Sequence, residues 1–110
     1  MTRIEVIANQ SVQPDLLEAL NRAIPDGYYT LWRDVLGRGG QGTRRGDPIW
    51  PERNVVLLAY VPDTAVMAIR AALVELKERF PREGITLFEL PGAREVELKR
   101  APSGQSSPGQ

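Results

Sequence analysis

The feature that most narrows the fold is an order of segments. An apolar alternating stretch, a helical stripe and a second apolar stretch occur twice, on either side of a long glycine-rich interval. Arg3 to Ala8 places Ile4, Val6 and Ala8 on one face and Arg3, Glu5 and Ile7 on the other, an apolar bias on both sides that predicts a central strand. Asn9, Gln10 and Ser11 supply turn chemistry. Pro14 then stands where a first helical turn tolerates a missing N–H, with Asp15 and Glu18 near the positive end of the dipole. Leu16, Leu17, Leu20 and Ile24 lie on one stripe, so a helix is predicted from about Gln13 to Ile24, stopped by Pro25, Asp26 and Gly27. Tyr28 to Leu36, rich in aromatic and β-branched residues, predicts a second strand.

The second half opens on Asn54 to Val61 (NVVLLAYV), a near-continuous apolar run expected at the centre of a sheet. Pro62 and Asp63 open the next helix, with Asp63 as its expected N-cap, and Val66, Ile69, Leu73, Leu76 and Phe80 define its buried face. Ala65, Ala68 and Ala72 are small enough to let that helix lie close on a sheet, and Lys77, Arg79 and Arg82 suit its negative end. Pro81 stops it, and Gly84 leads into Ile85 to Leu90, a fourth strand broken by Pro91 and Gly92. Arg94 to Arg100 (REVELKR) alternates again and predicts a short edge strand whose charges discourage aggregation. The predicted class is α+β, a ferredoxin-like βαββαβ plan with a long loop between strands 2 and 3 and a short extra C-terminal strand. One domain is expected over residues 1–100, followed by a disordered tail, 101–110, that has almost no apolar residue. Helices cover one face of such a sheet. The apolar alternate residues of strands 1, 3 and 4 predict that the other face is buried too, most economically by other copies of the chain.

Composition removes whole classes of function. With no cysteine and no histidine, thiol nucleophiles, Cys/His zinc sites and histidine acid–base pairs are excluded together. Fourteen basic and fourteen acidic residues give a net charge of zero, so the general attraction used by sequence-independent nucleic-acid binders is missing and a nucleic-acid role is demoted. No stretch approaches the roughly 20 apolar residues of a membrane span, and the first ten residues lack a signal-peptide pattern; a cytosolic protein is expected.

Between Gly37 and Arg53 the sequence is GRGGQGTRRGDPIWPER, a length that is uncommon inside a compact domain unless it has a function. Arg38, Arg44 and Arg45 among glycines can combine backbone N–H concavities with guanidinium forks, which suit phosphate or carboxylate; the bland alternative is a solvated loop. A dinucleotide fingerprint fits poorly, because G-R-G-G-Q-G is followed by more loop instead of a helix. Trp50 is a candidate partner-contact anchor or a residue packed at the loop root, and Asp47 with Glu52 reads as solvated partners of nearby arginines more than as a cation site. Tyr28, Tyr29 and Trp32 read as core or interface aromatics, since no RNP-like run accompanies them. An acylphosphatase-like hydrolase would need an Arg in the turn after strand 1, where Asn9 to Gln13 has none, so a non-enzyme is expected.

The plan, with VLGRGGQG at the end of strand 2, NVVLLAYVPD entering helix 2, and GITLFEL followed by REVELKR, resembles the PII superfamily of small trimeric signalling proteins over about Thr2 to Arg100. The resemblance implies a homotrimer in which Gly37, Arg38, Gly39, Gln41, Gly42 and Lys99 bind a ligand at an inter-subunit cleft, either an adenine nucleotide or another anionic metabolite. It further implies that Arg44, Arg45, Asp47 and Trp50 on the long loop contact an unidentified target protein, an enzyme or transporter. The chain departs from the signalling proteins in having only Pro81-Arg82-Glu83-Gly84 where they carry a Gly- and Lys-rich phosphate loop, no Tyr in the long loop, and Glu97 with Lys99 where they carry two arginines. These departures point to a divergent, PII-like branch. The alternative reading is a ferredoxin-like nucleic-acid-binding or assembly module that uses the arginine loop as a basic patch. Because Gly39, Gly40, Gly42 and Gly46 offer little side-chain packing, trypsin is expected to cut the free protein first at Arg44 or Arg45, and a ligand at the loop base is expected to slow that cut. Time-resolved mass spectrometry of the digest checks this; resistance at both sites would remove the mobile element.

Overall fold

The computed structural model describes residues 1–38 and 52–100. It contains β1 (Thr2–Asn9), a 3₁₀ turn at Gln10–Val12, α1 (Gln13–Ala23), β2 (Thr30–Gly37), β3 (Glu52–Val61), a second 3₁₀ turn at Asp63–Ala65, α2 (Val66–Arg79) and β4 (Ile85–Pro91). The strands form one antiparallel sheet in the order β2-β3-β1-β4, with both helices on one face, which is the ferredoxin-like plan expected from the sequence.

The core lies between the helices and one face of the sheet. Ile4, Val6 and Ala8 of β1 and Val55, Leu57, Ala59 and Val61 of β3 meet Leu16 and Leu20 of α1 and Ile69, Leu73 and Leu76 of α2. The helical stripes read from the sequence therefore face inward, with Leu17, Ile24, Val66 and Phe80 half-buried at the margins. Two polar ties hold the layers in place. Arg70 of α2 donates two hydrogen bonds to the Glu89 carboxylate on β4, at 3.0 and 2.6 Å. Arg79, near the end of α2, donates to Asp15 in the first turn of α1 at 2.9 Å.

Several local expectations are corrected. Asp63 does not cap the helix. Thr2 is paired with Val61, so Asp63, two residues on, comes beside it and accepts a 2.7 Å hydrogen bond from Thr2 Oγ1, while α2 begins only at Val66 with no side-chain cap. That hydrogen bond, reinforced by the Met1 ammonium at 3.2 Å, holds the Asp63 carboxyl below the usual carboxylate range. Ala68 does not contact the sheet; it is exposed and lines, with Ala19, Ala23 and Ala72, a groove between the helices. Strand 2 starts at Thr30, two residues later than expected, and is interrupted by a bulge between Trp32 and Val35, where Asp34 takes a left-handed φ of 56°. Its N–H is satisfied by the Gln10 side chain at 2.8 Å. The C-terminal strand expected at Arg94–Arg100 is not formed within the chain: residues 92–100 pair with no strand. Gly92, at φ 87°, turns the backbone away from β4 and across the end of β1, where Ala93 N–H bonds the Met1 carbonyl; both edges of β1 are already occupied by β3 and β4. The expected tail, 101–110, lies outside the described residues.

Leu57 is fully buried on a strand with neighbours on both sides. Leu57→Ala is expected to lower unfolding stability by about 2–5 kcal/mol, whereas Val74→Ala, on the exposed side of α2, is expected to leave the urea midpoint nearly unchanged. Glu89 makes a second case. Hydrogen bonds from Arg70 depress its folded-state pKa, so the stabilisation is present at neutral pH and is lost as pH falls through that depressed value. Thermal melts should show wild type above Glu89→Gln at pH 7 and the two converging in acid; a margin independent of pH would contradict the assignment.

Candidate functional site

The described residues present two places where chemistry can be done, at opposite ends of β2. At the C-terminal end is the root of the long loop, where Gly37 pairs with Glu52 and the chain continues into Arg38. A Cβ at Gly37 would run into the Asn54 side-chain amide, so glycine at this position lets the hairpin stem close. The bulge upstream fixes the direction in which the stem leaves the sheet, with Gln10 holding Asp34 N–H and Arg53 Nη1 at 3.8 Å from the Asp34 carboxylate.

At the N-terminal end of β2 is an open cleft of about 430 Å³. Tyr28, Tyr29 and Thr30 form one wall, Leu58, Ala59 and Tyr60 of β3 another, and Arg94 with Glu95, carried there by the turn at Gly92, close the side near Met1. Tyrosine rings beside a guanidinium suit a flat ring system bearing an anionic group, the rings by stacking and the guanidinium by paired hydrogen bonds. An eight-residue strand separates this cleft from the loop root, roughly 25 Å at strand rise.

Of the residues singled out for ligand binding, Gly37 and Arg38 stand at the loop root. Lys99 lies in the exposed C-terminal segment, where its ammonium pairs with Glu97 at 2.7 Å, and no hydrogen bond or ion pair joins it to Gly37 or Arg38 within the chain. Gly39, Gln41 and Gly42, and the partner-loop residues Arg44, Arg45, Asp47 and Trp50, lie outside the described residues. The cleft itself was missed. Tyr28, Tyr29 and Trp32 were expected in a core or an interface, but in the single chain Tyr28 is 90% exposed and Trp32 48%, so they are not core. The paired tyrosines before strand 2 and Tyr60 near the end of strand 3 were the available signal; Arg94 gave none, because its position depends on the turn at Gly92. Among the described residues no cluster of three or more acidic, His or Cys side chains could hold a metal ion, and no helix is long and apolar enough to cross a membrane.

If Gly37 is small because of Asn54, the two positions are coupled. Gly37→Ala should change stability little in the wild-type background, whereas with Asn54→Ala already present it should stabilise by about 0.4–1 kcal/mol through the reduced entropy of the unfolded chain. Urea denaturation of the four proteins measures this; additive effects would refute the contact.

No protein-family model matches the chain, and no curated protein matches it. Solved structures do. CPII from Thiomonas intermedia, a nitrogen regulatory PII-like protein bound to ADP, AMP and bicarbonate, superposes with a TM-score of 0.61 at 18% identity, covering 86% of this chain and 94% of that one. The same protein bound to ADP and bicarbonate gives 0.59 at 19% identity, covering 80% and 81%. A PII-like signalling protein from Thermus thermophilus gives 0.54 at 20% identity, covering 80% and 82%. Likeness over most of both chains at this level of identity establishes architecture, and the chain has the fold of the PII-like superfamily.

Proposed function

We propose that this protein is a PII-like, metabolite-responsive regulator. It binds an anionic small molecule, an adenine nucleotide in the first instance, and through that ligand controls a target protein by way of the Gly37–Arg53 loop. The observation that carries the reading is the tyrosine-lined cleft with Arg94 at its side, on a fold shared with a protein solved with ADP, AMP and bicarbonate. The rings can hold a base, and Arg94 can meet phosphate or bicarbonate. A homotrimer belongs to the same reading. The sheet face opposite the helices exposes Trp32, Tyr60, Phe88 and Leu90, and copies of the chain covering it would bury these side chains.

The loop supplies the output. A ligand that binds more tightly when the loop is docked on a partner strengthens that docking by the same factor, so ligand occupancy becomes partner affinity. A nucleic-acid-binding module is the second reading, favoured by the aromatic side chains on the open sheet, and it differs in its salt dependence.

Calorimetry with ADP, AMP and bicarbonate tests the proposal. Saturable binding of at least one of them at one site per chain is expected, with Arg94→Ala weakening it about ten-fold or more through loss of a charge-assisted hydrogen bond. Absence of binding by all three, with oligonucleotide binding that falls steeply with salt, would replace this function with the second reading.

A further inference from the structure

The helix-free face of the sheet carries Trp32, Leu58, Tyr60, Phe88 and Leu90, with the neutral polar residues Asn54 and Thr86 toward one end and charge on its central strand. The residues of the central strand β1 on this face are Arg3, Glu5, Ile7 and Asn9, and the first three lie directly between two cross-strand neighbours. Arg3 is flanked by Tyr60 and Leu90, Glu5 by Leu58 and Phe88, and Ile7 by Val56 and Thr86. A guanidinium and a carboxylate thus stand on the central strand of a surface that an apolar partner would cover.

These two groups do not use up one another. Arg3 Nε lies 2.9 Å from Glu5 Oε2, an ion-pair distance, yet its N–H is not aligned on that oxygen, and Nε is buried without a hydrogen bond. Arg3 makes no other ion pair or side-chain hydrogen bond among the described residues, and its side chain remains 40% exposed. Most of the donor fork is therefore available outward. An occupant with an apolar surface would desolvate both charges and return no hydrogen bonds, a net cost that works against binding. A second copy of this chain is different, because it brings one guanidinium and one carboxylate in the same geometry.

We infer that Arg3 and Glu5 form the polar centre of a self-association face, where the guanidinium of each copy meets the carboxylate of an adjacent copy and fixes the register in which copies assemble. This rests on the homotrimer reading above. One donor group and one acceptor group per chain are all satisfied only when the assembly closes into a ring, so the pair selects a closed cyclic oligomer over an open stack. Apolar neighbours such as Phe88 and Leu90 supply area, and the charged pair supplies selectivity, as a single buried polar position does in a helical oligomer.

Charge reversal at each position, followed by mixing, tests this by light scattering and native mass spectrometry. Arg3→Glu leaves two acids at the centre and Glu5→Arg two bases; each protein alone should dissociate at least ~100-fold more readily than wild type, because like charges are left buried and unpaired. An equimolar mixture should recover assembly in part, as mixed trimers that are more stable than either variant alone and less stable than wild type, since two of their three interfaces then pair a guanidinium with a carboxylate and the third joins two like chains. Circular dichroism confirms folding of each variant, and Arg3→Met with Glu5→Gln, which remove charge without reversing it, serve if either does not fold, each then weakening assembly on its own. Wild-type assembly unaffected by all of these variants would overturn the inference while leaving the oligomer in place. Loss of assembly in the single variants without recovery on mixing would confine the pair to one chain and also overturn it. A wild-type protein that is monomeric would instead refute the homotrimer reading itself.

Discussion

Everything in this molecule is hung on β1. Among the described residues it is, with β3, one of two strands with a partner on each side; it sets the register of the sheet, and its alternate residues decide what each face can do. Ile4, Val6 and Ala8 point into the helical layer and are essentially inaccessible to water, which commits that face to a single arrangement, since a one-residue slip would exchange them for Arg3, Glu5 and Ile7. The other face inherits the consequence. It carries Trp32, Tyr60, Phe88 and Leu90, all exposed in the single chain, beside Arg3 and Glu5.

The two ends of β2 divide the proposed function between them. The start of the strand, with Tyr28 and Tyr29 just before it, borders the cleft, and its end holds the root of the long loop. The bulge at Asp34 lies between them and is tied through its N–H to Gln10 in the turn after β1. The cleft and the root of the loop thus lie on one strand. Arg94 reaches the cleft because Gly92 turns the chain after β4, so its place there and the path of the C-terminal segment are one structural decision.

How much of this could be read from the sequence follows the range of the interactions. Strands and helices set by local periodicity, such as Leu16 and Leu20 in α1 or Ile69, Leu73 and Leu76 in α2, were legible because each stripe reports its own burial. Asp63 was misread as a cap because its partner, Thr2, stands 61 residues away and is brought alongside by the pairing of β1 with β3. The strand at Arg94–Arg100 was misread for a related reason: alternation shows that a segment can pair, not that the turn before it, here at Gly92, delivers it to an edge. The cleft was invisible because its walls come from three separate stretches of chain. By contrast, the resemblance to PII proteins was carried by the order of elements, which is shared with solved structures at about a fifth identity, and by the glycine pattern at the loop root, most of which lies outside the described residues.

The central claim is that the chain acts as an assembled adenine-nucleotide sensor. Native mass spectrometry of the full chain, with and without ADP, tests assembly and occupancy in one spectrum. The account predicts a species of three chains that takes up as many as three ADP molecules, with occupancy lost in Arg94→Ala while the three-chain mass remains. A single chain that carries no ADP at concentrations well above those of a cellular metabolite sensor would contradict it.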